Sequence, residues 1–447
     1  MNYLEIPSIL LPRFSPDFDM QKWPVIACDQ FTQDRSYWEK VKIAAAGMPS
    51  TLNLIFPEAF LADTDAQKRI TEIHLNMERY LKDGILGEPK KGFIYLERDT
   101  PFNKKRRGLI AAIDLEQYDW QPASQALIRS TEGTVPDRLP PRMEIRRKAP
   151  LELPHILLLI DDDKESLLPQ LASLAQRNAP VYSTPLMMNS GSVTGWFLDT
   201  ESDVSFITEK LDELCRRSVS RYSGQHGTEF LFAVGDGNHS LAAAKGIWNE
   251  YKAANGLSNH PCRYALVEIE NIYDRAIQFE PIHRIVFDTG FDEIISLLSQ
   301  LPDFSCRPVE SGEELSHLCA QLCAHDETSG ANSAGADGRA VKNRFGIICE
   351  GRYALAETSA GGIATACLQP LLDRFTGDKP HLVDYIHDED ELFRLADGKT
   401  AGILLPPVQK SGLFDTVARL GPLPRKSFSM GRSCEKRFYL ECRSLFR

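Results

Sequence analysis

Apolar residues recur every three to four positions between Asp65 and Gly84, putting Ile70, Ile73, Met77, Tyr80 and Leu81 on one face and predicting a helix. Strand-length apolar runs follow at Phe93–Glu97 and Leu109–Leu115, with the basic stretch Asn103–Gly108 as the hairpin loop between them. Before these, Pro24–Ala27 reads as a short strand, and Ser36 followed by Glu39 has the spacing of a capping box that opens a helix. Ile156–Ile160 is a further apolar strand, closed by Asp161-Asp162-Asp163, and Glu165–Asn178 a helix. The strongest local signal is central: a β-rich run Glu229–Val234, a tight turn Gly235-Asp236-Gly237, and an alanine-rich helix His239–Tyr251. Tyr264–Ile269, Ile282–Phe287 and Ile403–Leu405 read as strands, and Phe345–Cys349 with Tyr353–Ala356 as a hairpin around Gly351. Residues 326–343 are small and polar without periodicity, which predicts a flexible loop. No repeat or heptad pattern is present. The mixture predicts an α+β (mixed α/β) fold, with mixed sheets flanked by helices and a strand–Gly-rich turn–helix at the candidate site. A division near residue 260 would separate an N-terminal α/β region, 1–260, from a C-terminal α+β region, 261–447.

Composition narrows the class. The 447 residues carry a net charge of −11, which disfavours general binding to nucleic acid, and 43% are apolar, enough to bury a core. No run approaches a membrane span, the first residues lack the pattern of a secretory signal, and ten cysteines are scattered without a disulfide framework. The expectation is a cytoplasmic protein with no membrane or nucleic-acid partner.

Candidate chemistry centres on Gly235-Asp236-Gly237-Asn238-His239-Ser240. Glycines permit positive φ and close approach of a ligand, and the start of the following helix offers unpaired N–H groups to an anion. Asp236 is placed to hold a divalent cation, His239 to donate to a phosphate or move a proton, and Lys245 follows on the same helix. An Asp-Gly turn feeding a capped helix accounts for the same residues. Ser240 replaces the last glycine of a dinucleotide fingerprint, so that motif is excluded. A second segment, Arg129–Arg138, sets Glu132 among hydroxyls and arginines, Arg138 included, as a base beside phosphate or as a solvated loop. His283-Arg284 enters an apolar strand, where one of the pair would face a site or an ion-pair partner such as Glu280. Asp29, after the first strand, is a candidate for substrate binding or a turn residue. His317, Cys319, Cys323 and His325 resemble a metal set, but on a helix the cysteines and histidines would face opposite ways, so no zinc is expected.

Taken in order, Cys28-Asp29-Gln30, Thr131-Glu132-Gly133-Thr134, Gly235–Ser240, Ile282-His283-Arg284 and Leu423-Pro424-Arg425-Lys426 resemble the bacterial family called domain of unknown function 1015. That family carries Ala-Asp-Gly-His-His-Arg where this chain has Asn238 for the first histidine and Ser240 for the arginine, and a histidine where Thr131 stands. The signature is also similar to that of free-serine kinases of the ParB/sulfiredoxin fold. The resemblance implies that Asp236, His239 and the amides of Gly235, Gly237, Asn238 and Ser240 bind the phosphates of ATP or ADP with Mg²⁺. Arg138, Arg284 or Lys245 would supply the missing arginine's charge, His283 would join Arg138 and Arg284 at the cofactor and Lys245 would join Asp29 at the substrate, and Glu132 would be the base for a small hydroxylated or phosphorylated metabolite, serine- or phosphoserine-like.

The function expected is phosphotransfer, by a kinase or phosphomonoester hydrolase. The alternatives are a non-catalytic nucleotide- or anion-binding regulator and a structural protein without a small-molecule site. The charge distribution bears on this choice. Gly421–Arg447 alone carries +5, leaving −16 on the other residues, and further basic clusters lie at Arg138–Lys148 and Lys104–Arg107. Lys104–Arg107 reads as solvated surface charge, while the other two suit a phosphate pocket on an acidic body.

Overall fold

The computed structural model describes residues 3–15, 18–222, 229–256, 260–326, 343–360, 363–377 and 379–446. The loop expected between 326 and 343 lies, apart from its two end residues, outside them. The chain divides into two units: Met1–Ile277 with Ser433–Arg447, and Gln278–Arg432. Both helices and mixed sheets are present, an α+β fold.

The first unit is organised on a ten-stranded mixed sheet. Tyr182–Pro185, Ser192–Leu198, Phe93–Asp99, Arg106–Asp114 and Tyr264–Asn271 follow one another antiparallel. Leu157–Ile160 then runs parallel to Tyr264–Asn271, Phe232–Asp236 antiparallel to it, and Ile128–Ser130 and Tyr118–Asp119 complete the path. The central strands are buried on both faces, with a few charged side chains among the apolar ones. Ile94, Ile110, Leu158, Phe232 and Val267 are all fully buried, and the partly parallel arrangement demands such coverage. The helix Ala66–Lys82 buries Ile70, Ile73, Met77 and Tyr80, the face its periodicity predicts. The helix expected from Ser36 begins at Arg35 and is capped by Asp34, whose carboxylate accepts the Tyr37 N–H at 3.0 Å. A carboxylate at the cap position makes a stronger, charge-assisted bond than the serine hydroxyl.

The second unit is an antiparallel sheet in the order Ser305–Val309, Arg352–Thr358, Asn343–Cys349, Thr400–Leu404, His283–Phe287, Val383–Ile386, packed with helices such as Phe291–Leu298 and Ala364–Thr376. Its central hairpin turns at Glu350-Gly351, both at positive φ (54° and 69°), the backbone that a two-residue hairpin turn requires. Among the described residues no helix is long and apolar enough to cross a membrane, and the nine described cysteines are free thiols.

Arg425, Lys426 and Arg432 of the basic C-terminal segment are exposed, but three of its other cations are not surface charge. Lys436, Arg437 and Arg443 are buried and pair with Asp236 (3.0 Å), Glu268 (3.0 Å) and Glu152 (2.5 Å) respectively; Arg437 also binds Glu441. Arg106 corrects the expectation of a solvated basic loop: it is 3% exposed and grips Glu270 with two bonds, 2.6 and 2.8 Å. Removing one partner of such a pair leaves an uncompensated buried charge, at a cost of about 3–5 kcal/mol. Arg437→Leu is therefore expected to lower the stability of the first unit by about that amount. All five tryptophans lie in that unit, so fluorescence-monitored urea unfolding reads it directly, and an unchanged midpoint would refute the assignment.

Candidate active site

Strands Ile128–Ser130 and Phe232–Asp236 run parallel with Ser130 opposite Val234, so both chains leave the sheet at the same end. Two residues further, one chain carries Glu132 and the other Asp236. The Thr131 hydroxyl donates to the Val234 carbonyl at 2.6 Å, and the Val135 N–H donates to His239 Nε2 at 3.2 Å. These bonds bracket the half-buried Glu132 and hold it beside the turn. With Nε2 accepting, the His239 ring proton sits on Nδ1. The neighbouring strand Leu157–Ile160 starts at the same edge, Leu157 opposite Asp236, and its approach delivers His155.

The helix Asn238–Asn255 starts at Gly237, which lies in the left-handed region (φ +78°) with no side chain capping the helix. A Cβ here would stand 3.1 Å from Ile156 Cα, so both backbone conformation and space call for glycine. Gly235 is part of the strand and does not supply the second positive φ expected of it. First-turn N–H groups have no carbonyl four residues back, and their partial positive charge is directed out of the helix start. Nearby, Asn238 Oδ1 and Thr134 Oγ1 are buried without a protein hydrogen-bond partner.

Charges are concentrated at this end of the first unit. Asp236 accepts from Gly237 N–H at 2.9 Å and pairs with Lys436 at 3.0 Å. Burial would raise its carboxyl, but the Lys436 ammonium and the Gly237 bond outweigh that and hold it below the usual aspartate range. His155 bonds Ser240 Oγ through Nε2 (2.7 Å) and the Tyr439 hydroxyl through Nδ1 (3.0 Å). Burial pushes His155 down, while the charges of Asp29 and Asp236 push it back up. The Tyr439 oxygen also accepts the Cys28 N–H at 3.2 Å, fixing the loop that carries Asp29. Beyond Asp29 stands Glu58, pushed up to about 7 by burial and then by the Asp29 charge, against the pull of Arg142 2.5 Å away.

The structure thus brings Glu132, Asp236, Gly237, Asn238, His239 and Ser240 together, with Asp29 in electrostatic reach through His155. Arg138 is exposed at the start of the next helix, and its carbonyl accepts from Arg142 at 2.7 Å. Lys245 donates to the Leu115 carbonyl at 2.8 Å, and its charged neighbours are Glu116, Lys252, Asp114 and Asp119, a different set from those around Asp236. His283 and Arg284 belong to the second unit, and both are buried. His283 Nδ1 accepts the Leu405 N–H at 3.0 Å, while Arg284 donates to Gln369 at 2.9 Å and the Lys426 carbonyl at 3.0 Å and lies over the Tyr385 ring. Among the described residues no group of three His, Cys, Asp or Glu side chains converges to hold a metal ion.

Sequence reasoning missed His155, Tyr439 and Glu58, and it saw Lys436 and Arg142 only as members of basic clusters, without their partners. Of the three, His155 left a local trace, as a polar residue directly before an apolar strand. Lys436 lies 200 positions from its partner Asp236, and nothing in local sequence marks that pairing.

The chain belongs to DUF1015, a family of proteins of unknown function, which matches it over residues 13–375. No curated protein matches it. Among solved structures it is similar to a conserved hypothetical protein from Pyrococcus furiosus, 12% identical, covering 74% of this chain and 90% of that one at a TM-score of 0.32. A free serine kinase in complex with AMP is 11% identical, covering 75% and 91% at a TM-score of 0.34. C-terminally truncated SbnI from Staphylococcus aureus is 10% identical, covering 74% and 85% at 0.35. At these TM-scores the likenesses carry no argument about activity.

Glu58 yields a pH prediction. Its folded value, about 7, lies above its ordinary value of 4.5, so the native state holds a proton that the unfolded chain releases between those values. The proton's contribution is full below pH 4.5 and is lost as pH rises through 7. Glu58→Gln mimics the protonated form, so the variant should gain on the wild type by up to about 3 kcal/mol between pH 5 and 8. Parallel stability curves in urea at the two pH values would contradict this.

Proposed function

We propose that this chain is a phosphotransfer enzyme. It holds the phosphates of a nucleotide, ATP or ADP, at the Gly237–Ser240 turn and exchanges a phosphoryl group with a small hydroxylated metabolite of the serine or phosphoserine class. The observation that carries the reading is an uncapped helix start at Gly237 with Glu132 fixed beside it by the Thr131 and Val135 bonds. The choice of a nucleotide over another phosphate ester follows the resemblance noted for the sequence.

In this reading the first-turn amides meet the phosphate oxygens, and Lys436 and Arg138 add positive charge. Glu132 accepts the proton of the acceptor hydroxyl as its oxygen approaches phosphorus. Asp29, with Glu58 behind it, forms the acceptor's polar wall. Positioning and preorganised charge carry most of the barrier reduction. By microscopic reversibility the same groups serve transfer in either direction. Mg²⁺ commonly bridges nucleotide phosphates and one or two carboxylates. Here both Asp236 oxygens are already engaged, by Lys436 and Gly237, so the side chains do not form a ready cation site and no step is routed through the ion. The second reading, a regulator that binds nucleotide without turnover, is favoured by Thr131, Asn238 and Ser240 standing where the family pattern has histidines and an arginine.

Titration calorimetry with ATP, ADP and adenosine, paired with a turnover assay on serine and phosphoserine, tests this. ATP or ADP should bind at least tenfold tighter than adenosine, and Gly237→Val should abolish the difference. Glu132→Gln should lose about 100-fold or more in turnover with affinity retained. Equal affinity for adenosine would refute the phosphate site, and tight binding without turnover would establish the regulator.

A further inference from the structure

Ser240 and His155 form a pair that the function above does not use. Ser240 is the third residue of the helix and half-buried, and its Oγ lies 2.7 Å from His155 Nε2. On the far side of the ring, Nδ1 lies 3.0 Å from the buried Tyr439 hydroxyl, which is itself anchored to the Cys28 N–H. The imidazole is therefore held at both nitrogens, with one directed at a hydroxyl that sits where helix amides face out. A hydroxyl bonded to a positioned imidazole, with the imidazole oriented by a third group, is the arrangement of an activated oxygen nucleophile.

We infer that Ser240 is a nucleophile and His155 its general base, forming a covalent relay for the phosphoryl group. In the first half-reaction Ser240 Oγ gives its proton to His155 Nε2 and bonds to phosphorus. The bond from phosphorus to the leaving oxygen breaks, and that oxygen leaves with the electron pair while His155 keeps the proton. In the second, the acceptor hydroxyl gives its proton to Glu132 and bonds to the same phosphorus. The Oγ–phosphorus bond then breaks, and Oγ recovers its proton from His155, which returns neutral. The amides at the helix start stand where oxyanion charge develops in both steps. Burial and the Arg142 and Arg146 charges keep His155 deprotonated at rest, while the Asp29 and Asp236 charges favour the imidazolium that carries the proton between the two steps. The identity of the donor rests on the reading above, but the nucleophile does not.

The test uses diisopropyl fluorophosphate on the full chain, with the modified residue located by peptide mass spectrometry and no nucleotide present. Reaction joins Oγ to phosphorus and expels fluoride. A single adduct on Ser240 is expected, absent in Ser240→Ala and formed at least about 100-fold more slowly in His155→Gln. The wild-type rate should be level at and above pH 7 and fall only below the ordinary histidine range. Should His155→Gln fail to fold by tryptophan fluorescence, Tyr439→Phe carries the test: it leaves the imidazole in place, unheld at Nδ1, and should slow labelling about tenfold. No adduct on Ser240, or labelling at the wild-type rate in whichever of these two variants folds, would overturn the inference. Labelling without nucleotide affinity would leave the dyad and refute the donor, and nucleotide affinity without labelling the reverse.

Discussion

The ion pair between Lys436 and Asp236 ties the end of the chain to the turn on which the candidate site is built. Asp236 is the last residue of its strand and Gly237 the first left-handed residue after it, so whatever fixes the carboxylate fixes the direction in which the helix departs. Lys436 does so from a segment that returns to the first unit after the whole second unit has been made. The same return places Arg437 against Glu268 and Glu441, and Tyr439 against His155. Burying so many charges brings little net stability, since desolvation offsets most of the attraction. Its consequence is geometric: a misplaced strand would strand a charge, so one arrangement is strongly preferred.

That constraint sets the polar surroundings of the candidate site. The chain is acidic overall, and Arg106, Lys436, Arg437 and Arg443 are buried in defined pairs. What faces out is the helix start with its amides, flanked by Glu132 on one strand end and by the Ser240–His155–Tyr439 chain on the other.

The sequence made visible what depends on neighbours in sequence. The helix over Ala66–Lys82, the paired strands Phe93–Asp99 and Arg106–Asp114, and the strand–turn–helix at Gly237 follow from periodicity and glycine. So does the hairpin at Glu350-Gly351. Errors arose where a stronger partner displaced the local one: Asp34 displaced Ser36 as a cap, and Arg106, read as loop charge, found Glu270 across the sheet. Lys436, Arg437 and Tyr439 were illegible because their partners lie far away in sequence, joined only by the sheet register. Arg284 shows the limit of reading charge as function: its described partners include Gln369 and backbone carbonyls inside the second unit.

In the proposed function phosphate is held by the first-turn amides of the helix that begins after Gly237. Backbone amide chemical shifts, assigned in the isotope-labelled full chain and followed during titration with ADP and separately with adenosine, test it most directly. Large, saturable shifts are expected for the amides of Asn238 and Ser240 with ADP, and small ones with adenosine at equal occupancy. Saturable ADP shifts confined to other parts of the chain, with these amides unmoved, would contradict it.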